Sequence, residues 1–547
     1  MQLVIIAIML TLIIVSIYYE QAQLKKRIYQ KLKKEYGKIP ITNTNAYDEI
    51  SLYWREFNHR IPEDEKIDDI TWNDLEMTQL FNRINSTKSF AGEQMLYSEL
   101  HHLPKNKESL NELEKAISYY ETHSKAREEM QFQLWCLGKE SVSYYLPVFM
   151  NNLDVQFIPH IWKYHMLQIL LVLSFLPGII TGNTLLFAFV GIAFLINVTV
   201  YTLKKSQYEL YMETLGSIIH ITKLVSIISH NKGGLYSEVP VDIQEKLKSF
   251  NKLTHMISNL QKRKQATVSG DAFAVFQSYI VGSTLWDFTR YNKVIKYLHG
   301  QQRKFMTLYS FIAKIDMEIA IASFRQSVPV YCTPEFVIEK TFTLENMYHP
   351  LLKDAIYNSL KIKRHCLITG SNASGKSTFI KGVALNTILA QSIHTCLASS
   401  MLLPDAHVIT SMAVRDDIID GESYYIKEIR YLKRIVTASA NSRYVLCVID
   451  EILRGTNTNE RIAASTAILN YLKDGNCLAI VATHDIELTT ILKDQYLLYY
   501  FTEQIKEKDI VFDYKIHEGA CSNRNAIRLL EYAGFPKVII DEAKGLC

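Results

Sequence analysis

No cysteine in this 547-residue chain belongs to a recognisable metal or redox motif. The eight of them, Cys136, Cys332, Cys366, Cys396, Cys447, Cys477, Cys521 and Cys547, are scattered. There is no C-x-x-C and no histidine pairing at zinc spacing, and several of them sit in apolar strand-like runs where a thiol acts as a small hydrophobe. Free thiols in a reducing compartment are the expectation. A surplus of one charge is also missing: 60 Lys and Arg stand against 56 Asp and Glu, leaving +4. The total therefore speaks neither for nor against nucleic acid, because distribution matters more than the sum. Nor is there a basic stretch ahead of the first apolar run, as a secretory signal would want; the basic residues come after it.

The first apolar run, Leu3 to Tyr19, carries no charge. It is within the range that can span a bilayer. Lys25, Lys26, Arg27, Lys31, Lys33, Lys34 and Lys38 follow it, so the positive-inside rule puts the N-terminus outside and the rest of the chain in the cytoplasm. Two more uncharged runs, Met166 to Thr181 and Thr184 to Leu203, are joined by Gly182-Asn183 and flanked by Lys163, Lys204 and Lys205. They read as a membrane hairpin that returns the chain to its starting side, with Pro177 tolerated inside the first helix. The expectation is a multi-pass protein of the cell membrane with three spans.

At this length two or three domains are expected. We divide the chain into a span (1–20), a basic linker (21–64), an all-α region interrupted by the hairpin (65–330, with the hairpin at 166–203) and an α/β region (331–547). Residues 65–155 have few glycines and a helical period, and Ser206 to Ser229, Val241 to Arg263 and Leu285 to Phe324 read as long helices. After Ser327 the texture changes. Short apolar runs, Val408 to Met412, Tyr444 to Ile449, Cys477 to Thr483 and Tyr496 to Phe501, alternate with helical ones, as in a largely parallel sheet. The tail from Asn523 to Cys547 reads as two helices around Gly534-Phe535-Pro536.

Chemistry concentrates at CLITGSNASGKSTF, Cys366 to Phe379. It fits G-x-x-x-x-G-K-[ST] between a strand and a helix. Gly370 and Gly375 let backbone N–H groups, from Ser371, Asn372, Ala373 and Ser374 onward to Thr378, curl round a triphosphate. Lys376 offers a charge to the outer phosphates, and the Ser377 hydroxyl is placed for Mg²⁺. The run YVLCVI ends in Asp450-Glu451, a metal-binding acid followed by a carboxylate able to polarise water. A third run, CLAIVATH, ends in His484. Three such strand ends in this order predict a P-loop ATPase.

These residues also carry a resemblance. TGSNASGKSTF, then DEILRGTNTNER, then VATHDIEL resemble the ATPase domain of the MutS mismatch-repair family, whose usual forms are TGPNMGGKST, DEIGRGTST and ATH. Tyr348-His349-Pro350 resembles an upstream Arg-His-Pro motif, and Arg415-Asp416-Asp417 with Gly421-Glu422-Ser423 resembles D-D-L-x-x-G-x-S-T-F-M. The tail SNRNAIRLLEYAGFPKVIIDEA resembles the family's C-terminal stretch. Asp69-Ile70-Thr71, the run from Leu80 to Gly92, and FIAKIDMEIAIASF (311–324) resemble its core and lever domain.

With the α-helical transmembrane segments read from the apolar runs, the fold class is multidomain, and the resemblance implies an all-α lever domain followed by an ABC-type α/β P-loop ATPase domain. It implies that Asn372, Lys376 and Ser377 hold phosphate and Mg²⁺, that Asp450 binds metal, that Glu451 is the catalytic carboxylate and that His484 senses the γ-phosphate. Ser423 would reach the partner's nucleotide across a homodimer. Ala373-Ser374, Tyr424-Tyr425 and Asn457 depart from the family pattern, yet none removes a charged catalytic group. The N-terminal half lacks the Phe-x-Glu of the mismatch reader. DNA therefore stays open as a ligand. Two readings follow: a membrane-anchored MutS-like ATPase acting on DNA, and an ATP-driven switch at the membrane that acts on a protein partner or on its own hairpin without DNA. A transporter-type ATPase is disfavoured by the absent L-S-G-G-Q and by spans without charged residues.

Overall fold

The computed structural model describes residues 2–41, 47–104, 107–230, 240–250, 253, 282–371, 374–412, 424–506, 509–520 and 534–546. The N-terminal apolar run does not end in a linker: one helix, Gln2–Glu35, continues through the basic stretch. Ile28 and Leu32 of this helix are buried, four residues apart on one face, which is why the lysines around them form a solvated side of a helix rather than a loose tether.

The hairpin forms with its turn where expected. Ile161–Leu173 and Leu176–Thr181 rise, and Thr184–Phe187 leads into Ala188–His230. Asn183 holds the turn by accepting a hydrogen bond from Leu185 N at 3.0 Å. The rising arm is broken at Ser174 and Phe175, contrary to one unbroken span, because Pro177 has no N–H to offer the carbonyl four residues back and its ring crowds that turn. The descending arm, in contrast, is one helix of 43 residues that runs from the apolar hairpin into the helical core. Leu215, Ile218, Ile221, Leu224, Val225 and Ile228 on its lower part are buried there.

The stretch Leu285 to Phe324 is two helices, not one: Trp286–Leu298 and Gln302–Gln326, broken at residues 299–301. Helix Gln302–Gln326 is the axis of the all-α region and lies along helix Phe90–Leu100. Their join is polar. Asp316, fully buried, accepts from Lys88 N (3.0 Å), Ser89 N (2.7 Å) and Ser89 Oγ (2.6 Å) at the N-terminus of the shorter helix. Gly92 is required for that approach, since a Cβ there would lie 2.4 Å from the Asp316 side chain. The two stretches picked out separately in the sequence are thus the two sides of one contact.

The C-terminal region contains a six-stranded sheet, ordered β12 (His517–Glu518), β9 (Leu497–Tyr500), β4 (Cys366–Thr369), β8 (Cys477–Ala482), β7 (Val445–Asp450), β6 (His407–Ser411). All neighbours are parallel except β12 on β9. Alternate residues of β7 serve opposite faces: Leu446 and Val448 join the core shared with the helical region, while Val445, Cys447 and Ile449 join a second core under the outer helices. A smaller sheet, β1 (Glu335–Phe336), β5 (Ser400–Leu403), β2 (Phe342–Met347) and β3 (Asn358–Ile362), precedes it in space. The larger core runs without a break from Ile50 to Phe501, so the boundary drawn at residue 330 marks a change of architecture and not a gap in packing. Edge strand β6 is covered by helix Asp69–Asp74: Asp74 accepts from Thr410 Oγ1 (2.7 Å) and Met412 N (3.0 Å), and Asp68 pairs with Arg434. The edge is thereby withheld from pairing with another chain.

Candidate nucleotide site

The loop after β4 is shaped by its glycines. Gly370 has φ +149°, and a Cβ there would lie 2.6 Å from the Phe501 carbonyl oxygen. Gly375 has φ +104° and lies under the Tyr514 ring. It is followed at once by helix Lys376–Ile393, whose first N–H groups and dipole face the loop. Ser374 is buried, and its hydroxyl has no hydrogen-bond partner among the described residues. Such an orphan donor beside the N-terminus of helix Lys376–Ile393 suits an anion. Asn372 and Ala373 lie outside the described residues, as does Ser423.

Lys376 is buried, and its Nζ donates to the carbonyl oxygens of Gly370 (2.7 Å) and Ser371 (2.8 Å). Burial pushes its pKa down to about 8, against the pull of Asp450, Glu451 and Glu503. Asp450 ends β7. Glu451 and Leu453 then adopt left-handed backbone conformations (φ +63° and +57°), a strained arrangement of the kind that surrounding contacts must hold. Those contacts are present: Glu451 Oε1 lies 2.9 Å from His484 Nε2, and Glu451 pairs with Arg454 through its other oxygen. Burial raises the Glu451 carboxyl, but the His484 hydrogen bond and the Arg454 charge outweigh it and leave it below the ordinary carboxylate range. Arg454 also lies 3.8 Å from Asp450. His484 is steadied from its neighbour, since Asp485 forms a two-pronged pair with Arg461 (2.9 and 2.6 Å). Asn457, a departure from the family pattern, caps helix Thr458–Lys473 by accepting from Glu460 N, which a serine would also do.

The structure therefore gathers Gly370, Ser371, Ser374, Gly375, Lys376, Ser377, Thr378, Asp450, Glu451 and His484 round one place. All but Gly370 line a cavity of about 540 Å³, a volume ordinary for a small-molecule site. Its far wall comes from Met347, Tyr348, His349, Leu352, Ile356 and Tyr514. His349 is largely buried, which pushes its pKa down to about 4, so a neutral ring faces the cavity. Sequence reasoning missed Arg454, Glu503 and Tyr514. Arg454 stands in the quoted DEILRG run, three residues beyond Glu451, and one turn of spacing was the available signal. Tyr514 is fixed by Asn358, whose side chain bonds the carbonyl of Tyr514 (3.0 Å) and the N–H of Ile516 (2.9 Å). That contact spans 156 residues and has no local signature.

Among the described residues, no group of three or more His, Cys, Asp and Glu side chains is arranged to hold a metal by itself. Ser377 and Asp450 offer one hydroxyl and one carboxylate, the sparse oxygen set that Mg²⁺ takes when phosphates and water supply the rest.

The family described as MutS domain V matches residues 366–547. Among curated relatives, the DNA mismatch repair protein MutS of Pseudothermotoga lettingae is 30% identical over 267 residues, covering 46% of this chain and 32% of that protein. That of Thermotoga maritima is 31% identical over 242 residues, covering 42% and 30%. That of Staphylococcus haemolyticus is 28% identical over 247 residues, covering 43% and 28%. The matched stretch thus spans about a third of the length of these relatives.

Proposed function

We propose, on the footing of the match of residues 366–547 to MutS domain V, that the chain is a MutS-type protein that binds and hydrolyses ATP and uses the cycle to move its helical region beside a membrane. The observation that carries the ATPase reading is the Lys376–His484–Glu451–Arg454 cluster at the mouth of a glycine-shaped loop. The loop amides, the Ser374 hydroxyl and Lys376 receive the phosphates, and the base lies against His349, Ile356 and Tyr514. Bound Mg²⁺, held by Ser377 and Asp450, would neutralise phosphate charge. Glu451, kept ionised and oriented by His484, accepts a proton from the attacking water. His484 then carries a hydrogen bond between that carboxylate and the phosphate end of the site.

Dimerisation through the ATPase domains, with Ser423 of one copy completing the site of the other, is part of this reading and comes from the family. The membrane part rests on Ile161–Thr181 and Thr184–Lys204. Both are long and apolar enough to cross a bilayer (mean hydropathy 1.7 and 2.1), and each is only 11% buried. A soluble core helix would be mostly covered. Ile180, Leu185, Leu195 and Leu203 are each more than 60% exposed, a surface too apolar for water. With the N-terminal run as a third span, the helical and ATPase regions lie in the cytoplasm.

What the engine acts on divides the two readings. The relatives' name, DNA mismatch repair protein, favours DNA on the helical region. The unbroken helix Ala188–His230 favours the hairpin or a partner at the membrane. ATP turnover by the detergent-solubilised protein, with and without homoduplex, mismatched and branched DNA at two salt concentrations, decides. Stimulation that weakens steeply with salt places DNA on the protein. Turnover indifferent to every DNA removes that reading and leaves the membrane switch.

A further inference from the structure

Glu503 lies beside the phosphate loop but belongs to none of the strand-end motifs. It begins the hairpin of β10 (Glu503–Lys506) and β11 (Asp509–Phe512). The chain leading to it is pressed against the loop: Phe501 N donates to Thr369 O at 2.9 Å, and the Phe501 carbonyl sits where a Gly370 side chain would be. Glu503 itself is 6% exposed. Its Oε2 accepts from the Ser371 hydroxyl at 2.7 Å, while Oε1 is buried with no hydrogen-bond partner among the described residues. A half-satisfied buried carboxylate is costly, and a structure that keeps one needs a reason for it.

The charges around Lys376 suggest the reason. Asp450, Glu451 and Glu503 all act on it, with Arg454 acting the other way. Asp450 and Glu451 have work to do with Mg²⁺ and water. Glu503 has none, yet it adds a third negative charge behind the loop, one hydrogen bond from Ser371, which lines the cavity. Like charges brought together in a partly dry site repel one another more strongly than in water.

We propose that Glu503 sets the strength of nucleotide binding: its Ser371 contact holds the loop in shape while its charge opposes the phosphates, so the nucleotide is held loosely and exchanges readily. Glu503 is a positioning residue that acts through the loop and its field. It need not touch the reacting atoms. The inference rests on the ATP reading of the cavity and deepens it, by assigning the affinity to a residue outside the motif.

The test is equilibrium binding of AMP, ADP and ATP, without and with Mg²⁺, to the full-length protein in detergent. Glu503→Gln keeps an acceptor for Ser371 and removes the charge. It is expected to tighten ATP by about tenfold, the equivalent of about 1.4 kcal/mol, with a smaller gain for ADP and the smallest for AMP. The gain should shrink once Mg²⁺ accompanies the nucleotide. Ser371→Ala, which keeps the charge and loses the anchor, should tighten none of the three. An equal gain for all three nucleotides would mean a structural effect and overturn the proposal, as would no gain or a loss. Wild-type protein that binds no ATP at all would overturn the ATP reading itself, an outcome distinct from the other two.

Discussion

Replacing Lys376 with alanine is expected to lower ATP turnover by about 10²–10³-fold, the usual cost of removing one preorganised electrostatic contact to a developing charge. Two effects combine. The phosphates lose the ammonium that Lys376 holds at the loop. The Gly370 and Ser371 carbonyls, which it now ties at 2.7 and 2.8 Å, lose the clamp that holds the loop closed. The steady-state rate of ATP hydrolysis by wild-type and Lys376→Ala proteins measures the effect. A variant with wild-type turnover would sink the assignment of this cavity as the ATP site. Because burial has already brought Lys376 down to about 8, wild-type nucleotide affinity should also weaken as the pH rises through that value and the charge is lost.

The second large effect is expected far from the nucleotide. Arg325, near the end of helix Gln302–Gln326, is 2% exposed and makes four hydrogen bonds. Two go to Glu114 (2.9 and 2.6 Å), one to the His394 carbonyl (2.9 Å) and one to the Thr395 hydroxyl (2.9 Å). His394 caps the far end of helix Lys376–Ile393 and itself lies 3.0 Å from Glu114. One guanidinium therefore joins the helical region to the helix that starts at the phosphate loop. Arg325→Ala removes one partner of a buried pair and should cost about 3–5 kcal/mol of stability, read as a lowered unfolding midpoint in detergent. A change under about 1 kcal/mol would show that the joint is dispensable.

Acid should act on the same joint. Burial alone would raise the Glu114 carboxyl, but the Arg325 and His394 hydrogen bonds bring it down to about 2 from an ordinary 4.5. A carboxyl lowered in the folded state stabilises fully above the ordinary value and loses that contribution as the pH falls toward the lowered one. Arg325→Ala should therefore unfold with less dependence on pH between about 4.5 and 2 than the wild type.

How much of this was readable in advance depends on how far apart in the chain the cooperating atoms are. The phosphate loop was legible because glycine, lysine and hydroxyl stand within eight residues, and backbone geometry alone dictates their spacing. The ends of β7 and β8 were legible too, because a strand buried on both faces announces itself as an uninterrupted apolar run and stops at its first polar residues, Asp450 and Thr483-His484. Pairing is another matter. Glu503 meets Ser371 across 132 residues and Arg325 meets Glu114 across 211, and nothing local marks either. Helix ends failed for a different reason. Residues on both sides of Gly300 keep the same apolar period, so the break at residues 299–301 was hidden by continuity that belongs to two helices lying end to end. Pro177 is the reverse case, a visible breaker whose effect the tolerance of membrane helices for proline conceals.

The helix Ala188–His230 has one more consequence. Over 43 residues it is about 65 Å long, and no break in it absorbs a twist between the exposed apolar arm and the buried lower part. The azimuth of the hairpin is therefore inherited from the core, about 100° for every residue between them. A single alanine inserted between Lys204 and Tyr208 would swing the hairpin through about 100° at almost constant height. Seven would lift it by about 10 Å yet return it to within about 20° of its starting bearing. If the ATPase region and the hairpin work as one crankshaft, turnover in reconstituted bilayers should suffer more from the one-residue insertion than from the longer one, with phase mattering more than length.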